Sequence, residues 1–309
     1  MSGNSLRWAA KLAYLELFRR VPDRLAVSFD YFRVFGRFPN LANPQLFSEK
    51  MQRFKLDVPD IRAPELVDKV EVKKYVASAL GDRWLIPTLW HGEKVTEEVL
   101  REVPKPAVMK ANHSSAQIIF LNANSNLREA ARTANGWRGY DHHMVHRERA
   151  YGNVKRQILI EPFIGDQESP DDYKFWVVDG DVRFIQLDHA RFRKHTRQFY
   201  TDEWKRLDLK MNYPATPELA PKPPHLDEML EAAKTLAKGF RFLRVDLYDT
   251  AAGPLFGELT FTPEAGLCRF EPAAFDRELG ESWSYPARSS EVEQLKSLAD
   301  AFKLRGPSK

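Results

Sequence analysis

Two predicted strands in the last third of the 309-residue chain carry charged side chains at the spacing of a catalytic or metal site. Side chains alternate along a β-strand, so Arg244, Asp246 and Tyr248 share one face of the first strand, and Glu258 and Thr260 share one face of the second. The opposite, apolar face of the second strand consists of Leu255, Leu259 and Phe261. If the apolar faces lie together, Asp246 and Glu258 converge beside Arg244. Such a carboxylate pair suits Mg²⁺, whereas the alternative is a solvated sheet face with ordinary charges.

Two separated lysines and an acid at a strand end extend this set. Lys69 opens a helical stretch, Lys110 ends a short strand ahead of the polar loop 112–115, and Glu161 ends another strand within the segment 161–164. Together with the later Asp/Glu pair, these residues are the components of a nucleotide site that lacks a Walker loop. The sequence contains neither G-x-x-x-x-G-K-[ST] nor G-x-G-x-x-G, which argues against P-loop and Rossmann sites.

The elements that must position these residues alternate between helices and short strands from Ala63 onward. Apolar spacing and stop signals predict helices at 68–80 and 226–237, and strands at 106–110, 157–163, 242–248 and 255–262. Strands at 173–178 and 182–187 form a predicted hairpin across Asp179-Gly180. Phe29, Phe32, Phe35 and Phe38 recur at intervals of three and are predicted to anchor an irregular N-terminal segment in the core.

Composition narrows the class of protein. Apolar residues make up 43% of the chain, which is enough for a core and excludes wholesale disorder. A net charge of +4 is too small a bias for a dedicated nucleic-acid binder, so no nucleic-acid partner is expected. The single Cys268 excludes an intramolecular disulfide framework and fits a reducing compartment. Without an apolar run of about 18 residues or a signal-peptide pattern, the chain is expected to be cytoplasmic.

The two ends of the chain differ in character from the middle. Residues 6–20 predict a helix that either packs on the body of the protein or lies on a membrane surface through Trp8, Tyr14 and Phe18. In the second case the protein would contact the inner face of the membrane. Residues 286–309 form a polar, charged tail.

Six stretches together resemble a known family. They are DKVEVKKYV (68–76), LIPTLW (85–90), VMKANHSS (108–115), ILIEPFIGD (158–166), 172–200 and 244–263. The chain resembles the ATP-grasp superfamily and, more closely, its TupA-like (teichuronopeptide-biosynthesis) family, which is associated with surface-polysaccharide loci. The resemblance implies an α/β (α+β) ATP-grasp fold, in which two α+β subdomains clasp ATP, with an N-terminal helical extension. The expected divisions are an extension at 1–60, a small subdomain at 61–157, a large subdomain at 158–285 and the tail.

ATP is the cofactor that this resemblance implies, held between the two subdomains. The residues placed on it are Lys69 and Lys110 at the phosphates, Ser114 and Ser115 in the phosphate loop, Glu161, Phe163 and Ile164 at the adenine, and Asp172 at the ribose. Backbone groups of Phe163 and Ile164 are the expected partners of the adenine edge.

Magnesium and the catalytic groups follow from the same resemblance. Asp246 and Glu258 would hold Mg²⁺, and Thr260 stands where relatives commonly carry an asparagine ligand. Arg244 would contact the transferring phosphate. Lys174, which follows Asp172 on one strand face, is expected to stabilise phosphate charge unless it is an ordinary surface lysine.

A charged segment after the hairpin is the candidate substrate site. Arg191, His195 and Arg197 would recognise a carboxylate through bidentate arginines, and the alternative is a solvated loop. His142, His143 and His146 lie close together, but no cysteine or repeated acid completes a zinc site. Acceptor recognition or plain surface is the better interpretation of these histidines.

The leading hypothesis is an ATP-dependent carboxylate–amine ligase that acts through an acyl phosphate. By the resemblance, an amino acid is one partner, and an acidic sugar or lipid-linked glycan of a surface polysaccharide is the other. The alternatives are a phosphotransferase or glycosyltransferase of glycan assembly, and a nucleotide-binding protein without catalysis.

Overall fold

The computed structural model describes residues 20–57, 62–165, 170–189 and 194–285. The helix predicted at 6–20 (apart from its last residue), Arg191 and the tail at 286–309 lie outside these ranges, so their roles stay predictions. Nowhere in the described part of the chain is a helix long and apolar enough to span a bilayer.

The described residues form nine α-helices and eleven β-strands. The helices are α1 (Asp23–Phe35), α2 (Phe47–Asp57), α3 (Ala63–Val67), α4 (Val72–Leu80), α5 (Glu97–Glu102), α6 (Leu127–Gly136), α7 (His142–His146), α8 (Leu226–Leu236) and α9 (Ala274–Glu281). The strands are β1 (Trp90–Gly92), β2 (Ala107–Ala111), β3 (Ile118–Leu121), β4 (Ile158–Pro162), β5 (Asp172–Val178), β6 (Asp181–His189), β7 (Thr196–Tyr200), β8 (Lys210–Met211), β9 (Phe242–Thr250), β10 (Gly253–Thr260) and β11 (Phe270–Glu271).

The first sheet is four-stranded and antiparallel, in the order β1-β4-β2-β3. Its core joins Met109 and Ile160 of the strands to Leu100 of α5 and Ala134 of α6. Because β4 pairs with β1 and β2, the break between the sheets follows Pro162. β4, which the expected division places at the start of the large subdomain, is thus a strand of the first sheet.

The second sheet is five-stranded and antiparallel, in the order β10-β9-β5-β6-β7. Its central strand β5 is buried along its whole length because both faces are covered. Phe175 packs in the core that includes α8, and Trp176 packs with Phe47 of α2. Lys174 and Trp176 lie on the same face of β5, so this face is charged at one end and apolar at the other. The charged end is where the site forms.

Most of the predicted elements are present. The hairpin at 173–187 is confirmed, with Asp179 and Gly180 in left-handed turn conformations (φ 49° and 90°). The helix predicted at 68–80 begins only at Val72, because the Asp68 carboxylate accepts the Val70 amide at 2.8 Å and holds a turn ahead of it. The helix predicted at 226–237 is confirmed as α8.

The prediction for the N-terminal phenylalanines is wrong. Phe29, Phe32 and Phe38 are 50%, 41% and 65% exposed. Phe29 and Phe32 lie in α1, whose opposite side faces the core and buries Ala26 and Tyr31 completely. These two phenylalanines, three residues apart, therefore lie on the outer side of this helix. The predicted extension also reaches further into the fold than expected, since α2 packs against α9 and in the core of the second sheet.

Candidate active site

A β-bulge between β9 and β10 sets the geometry of the site. Phe256 pairs with Leu247 and Glu258 pairs with Asp246, so Gly257 is the extra residue. A Cβ at Gly257 would lie 2.9 Å from the Asp246 carbonyl oxygen, which is too close for any side chain. The bulge also shifts the alternation, so Phe256 faces the core where simple alternation had placed Leu255.

Arg244 joins the two strands at this point. Its Nε and Nη2 donate to the two oxygens of Asp246, each at 2.7 Å, and Nη2 also lies 3.0 Å from Thr260 Oγ1 and 3.4 Å from Glu258 Oε1. Burial would lower the pKa of Arg244, but Asp246 and Glu258 outweigh it and raise the pKa above its ordinary value. The guanidinium is therefore a fixed cation between two carboxylates.

Lys174 is the second buried cation of this cluster, and it is not a surface lysine. Its Nζ lies 2.8 Å from Asp246 Oδ2 and 3.9 Å from Asp188 Oδ2, and it also pairs with Asp172. All four side chains are buried. Asp172 lines the adjoining cavity, but its carboxylate is paired with Lys174, so the ribose contact expected for it stays a prediction.

Lys69 connects the first sheet to the second. Its Nζ donates to the Ser114 carbonyl at 2.9 Å and lies 3.7 Å from Glu258 Oε2. Desolvation lowers the pKa of Lys69, because Glu258 only partly compensates for its burial. An anion bound in the cavity would stabilise the charged form of Lys69.

Two lysines hold Glu161. Lys110 Nζ lies 2.6 Å from one carboxylate oxygen, and Lys73 Nζ lies 2.5 Å from the other. Burial would raise the pKa of Glu161, but these two lysines lower it below its ordinary value. Sequence analysis missed Lys73, although it stands four residues after Lys69 in the motif 68–76, which was the available signal.

The loop between β2 and β3 is held by Asn112. Its Oδ1 accepts the Gln157 amide at 2.7 Å, and its Nδ2 donates to the Lys155 carbonyl at 2.8 Å. Ser114 is buried and its hydroxyl donates to Gln117, whereas Ser115 is exposed. Of the two serines expected at the phosphates, Ser115 therefore has the more accessible side chain.

An apolar slot lies beyond the lysines. Ile86, Val108 and Phe120 line it together with Phe163 and Ile164. The Phe163 amide donates to the Pro106 carbonyl at 3.1 Å, so that N–H is already used within the protein. A planar base would fit between these side chains, and Ile164 is then the better candidate for a backbone donor.

Two cavities meet at this cluster. The first cavity contains the apolar slot, Lys69, Lys110 and Asp246; the second contains Arg244, Lys174 and Thr260. Their shared wall consists of Ser115, Ala116, Ile118 and Glu258. A molecule that fills the first cavity would therefore end where the second begins.

Arg197 and His195 line the second cavity, but the carboxylate that they face belongs to the protein. Arg197 Nε and Nη2 contact the two oxygens of Asp188 at 2.5 and 3.0 Å, and His195 Nε2 lies 3.2 Å from Asp188 Oδ1. Burial would raise the pKa of Asp188, but Arg197 and Lys174 hold it well below its ordinary value. The bidentate fork of Arg197, expected to bind a substrate carboxylate, is thus already engaged.

The histidine cluster lies on the far wall of the second cavity. His142 and His146 line this wall, together with Glu148. Within the described ranges, no group of three or more His, Cys, Asp or Glu side chains is arranged to hold a metal ion.

The model of the TupA-like ATP-grasp family matches residues 49–284. The chain belongs to this family. It therefore has the ATP-grasp fold, with mixed α/β architecture, and is an ATP-dependent ligase that forms C–N bonds.

Solved structures give more distant matches. D-alanine–D-alanine ligase from Bacillus anthracis is 17% identical with a TM-score of 0.42, and the match covers 78% of this chain and 70% of that one. The ATP-grasp ligase PsnB, complexed with a minimal precursor, is 15% identical with a TM-score of 0.36, covering 77% and 62%. No curated protein sequence matches the chain significantly.

Proposed function

We propose that this ligase activates a carboxylate with ATP as an acyl phosphate and joins it to an amine. The observation that carries the proposal is the meeting of the two cavities at Glu258, with Lys69 on one side and Arg244 on the other. The first cavity offers an apolar slot for adenine and lysines for phosphates. The γ-phosphate of ATP would then lie at the entrance to the second cavity, where the other substrates bind.

The first step transfers the γ-phosphoryl group. A carboxylate oxygen of the substrate attacks the γ-phosphorus, an O–P bond forms, the bond to the β–γ bridging oxygen breaks, and ADP leaves. Arg244 and Lys174 are buried cations at this position, where they would neutralise charge on the transferred group. Lys69 and Lys110 would hold the remaining phosphates.

The second step forms the amide. The amine nitrogen attacks the acyl carbon, a C–N bond forms, and phosphate leaves with the electrons of the C–O bond. The nitrogen loses a proton during this step. No protein nucleophile is needed, because the acyl phosphate is already reactive and the enzyme only has to position both partners.

The donor set beside Arg244 fits Mg²⁺. Asp246 and Glu258 face each other on adjacent strands, and the Thr260 hydroxyl lies 3.5 Å from Glu258 Oε1. Mg²⁺ is usually held by one or two carboxylates together with substrate phosphates and water, so two acids suffice. Bound there, the metal would neutralise phosphate charge.

The proposed substrates are an amino acid and a uronic acid sugar, either free or lipid-linked. This pair rests on the association of the TupA-like family with surface polysaccharides.

The fate of ATP tests the proposal. The protein is incubated with Mg²⁺-ATP, a panel of uronic acids and a panel of amino acids, and nucleotides and amide masses are measured. With a carboxylate but no amine, added hydroxylamine should trap a hydroxamate while ADP accumulates. AMP with pyrophosphate, a stable phosphorylated sugar without amide, or transfer from a sugar nucleotide without ATP would each refute the ligase mechanism.

A further inference from the structure

The far wall of the second cavity contains a buried histidine paired with a carboxylate. His142 is 6% exposed, and its Nε2 lies 3.6 Å from Glu148 Oε2. The same oxygen of Glu148 accepts the Thr262 hydroxyl at 2.7 Å. Burial would raise the pKa of Glu148, but His142, Lys55 and Thr262 lower it, so this carboxylate is ionised beside the imidazole.

The other ring nitrogen of His142 has no hydrogen-bond partner. Nδ1 is buried, and no donor or acceptor within the described ranges reaches it. Buried polar atoms are nearly always satisfied, so such an atom in a cavity wall calls for a partner from a ligand. The ring itself is fixed by Tyr151 and His146, whose ring centres lie 4.4 and 4.6 Å away.

The pair lies close to the reacting groups. Thr262 follows Thr260 by two residues, which limits their separation along the chain to about 7 Å, and Thr260 is hydrogen-bonded to Arg244. His142, Thr260 and Arg244 also line the same cavity. An acceptor held there would contact both the histidine and the phosphate end.

We propose that His142 is the general base for the attacking amine and that Glu148 is its positioning residue. This role rests on the ligase function proposed above: His142 accepts the proton that the attacking nitrogen loses in the second step. As the C–N bond forms and phosphate leaves, the nitrogen gives its proton to Nδ1 of His142, and the nearby Glu148 carboxylate stabilises the imidazolium that forms. The amine substrate therefore binds at the far wall, and the carboxylate substrate binds nearer Arg244.

Other groups around His142 are less suited to this role. His146 is hydrogen-bonded through Nε2 to the Tyr140 hydroxyl at 3.1 Å, and burial lowers its pKa to about 4. Lys55 donates to the Ala265 carbonyl at 2.9 Å. The rings of Tyr140 and Tyr151 have their centres 6.0 and 4.4 Å from that of His142, His113 also lies nearby, and Asp30 and Arg33 line the same cavity.

The first test needs no substrate. Neutral His142 should carry its proton on Nε2 and leave Nδ1 bare. Long-range ¹H–¹⁵N spectra of ¹⁵N-histidine-labelled protein near pH 8 report the tautomer, and His142→Gln assigns the signal among the eight histidines of the chain. An Nδ1–H tautomer, or an imidazolium at this pH, would overturn the proposal.

The second test separates the base from the activation of the carboxylate. Hydroxylamine is largely uncharged near neutral pH and is a strong nucleophile, so its attack depends little on a protein base, whereas an amino acid must first lose a proton from its ammonium group. His142→Ala should lower amide formation about a hundredfold or more, with partial recovery at higher pH, while hydroxamate formation stays within about threefold of wild type. His91→Ala is the matched control, because His91 is exposed on β1 and lines neither cavity, and it should leave both rates unchanged.

The outcomes distinguish the two proposals. Equal losses of amide and hydroxamate in His142→Ala would make the residue structural, and an unchanged amide rate would exclude it as the base. A wild-type protein that forms neither product would refute the ligase function instead, and the tautomer would then still decide whether His142 is built as an acceptor.

Discussion

Gly257→Ala should loosen the alignment of the two carboxylates without touching either of them. Gly257 is the bulge residue that places Glu258 opposite Asp246. The added Cβ would lie 2.9 Å from the Asp246 carbonyl oxygen and 3.1 Å from the Tyr248 ring. The ring can turn away, but the carbonyl belongs to the backbone of a paired strand. β10 must therefore move.

The size of the effect follows from these contacts. Ordinary van der Waals contact begins near 3.4 Å, so β10 must retreat by about 0.5 Å. Overpacking of this kind costs about 1–3 kcal/mol of unfolding free energy. Glu258 is the next residue and moves with the strand. Since a misplacement of about 1 Å costs on the order of a hundredfold in rate, half of that should cost about tenfold.

Urea unfolding measures the loss of stability, and the rate of ADP formation from Mg²⁺-ATP with the substrates measures the loss of activity. Gly136→Ala is the control, because it lies in α6 with nothing within 4 Å of its Cβ, and it should be neutral or stabilise by up to about 1 kcal/mol. If Gly257→Ala unfolds and turns over ATP like the wild type, the bulge does not align the site.

Three further changes test other parts of the structure. Lys110→Ala should weaken ATP binding about tenfold or more and leave adenosine nearly unaffected, since the lost contact is to phosphate; equal losses in calorimetry would move Lys110 out of the phosphate site. Gly280→Ala should destabilise the protein by at least about 2 kcal/mol in urea, since its Cβ would lie 2.3 Å from the Gln45 carbonyl; a wild-type midpoint would contradict this packing. Burial lowers the pKa of His113 from 6.5 to about 4, so the folded state binds fewer protons than the unfolded chain between these values. Protonation of His113 should therefore remove up to about 2 kcal/mol of stability as the pH drops from 6.5 to 4, and His113→Gln should show a shallower fall in acid titrations of unfolding.

Local patterns predicted the strands and the polar face of the site well. Alternation along β9 placed Arg244 and Asp246 on one face, and the Asp179-Gly180 turn fixed the register of the central hairpin. Alternation alone did not reveal the bulge, because Leu255 and Phe256 are both apolar and either could face the core; Gly257 inside the strand was the available signal. For this reason Leu255 was predicted to face the core, where the structure has Phe256.

Pairing between distant charges was beyond sequence patterns. The Asp188 partner of Arg197 comes from the neighbouring strand, and only the sheet register shows that the two groups meet. Lys73 was missed for a similar reason, since its partner Glu161 is far along the chain. Phe29 was wrongly predicted to be buried, because apolar residues on a helix do not reveal which side of the helix packs against the protein.

The buried cations of the site already have partners before any nucleotide arrives. Arg244 and Lys174 occupy the oxygens of Asp246, and Lys69 lies beside Glu258. A triphosphate would compete with these carboxylates for the same cations. Each cation that pairs with a phosphate oxygen frees a carboxylate oxygen, which can then bind a divalent cation. Nucleotide binding and divalent-cation binding are then linked by exchange: each should strengthen the other by the same factor, and neither alone should bind as well.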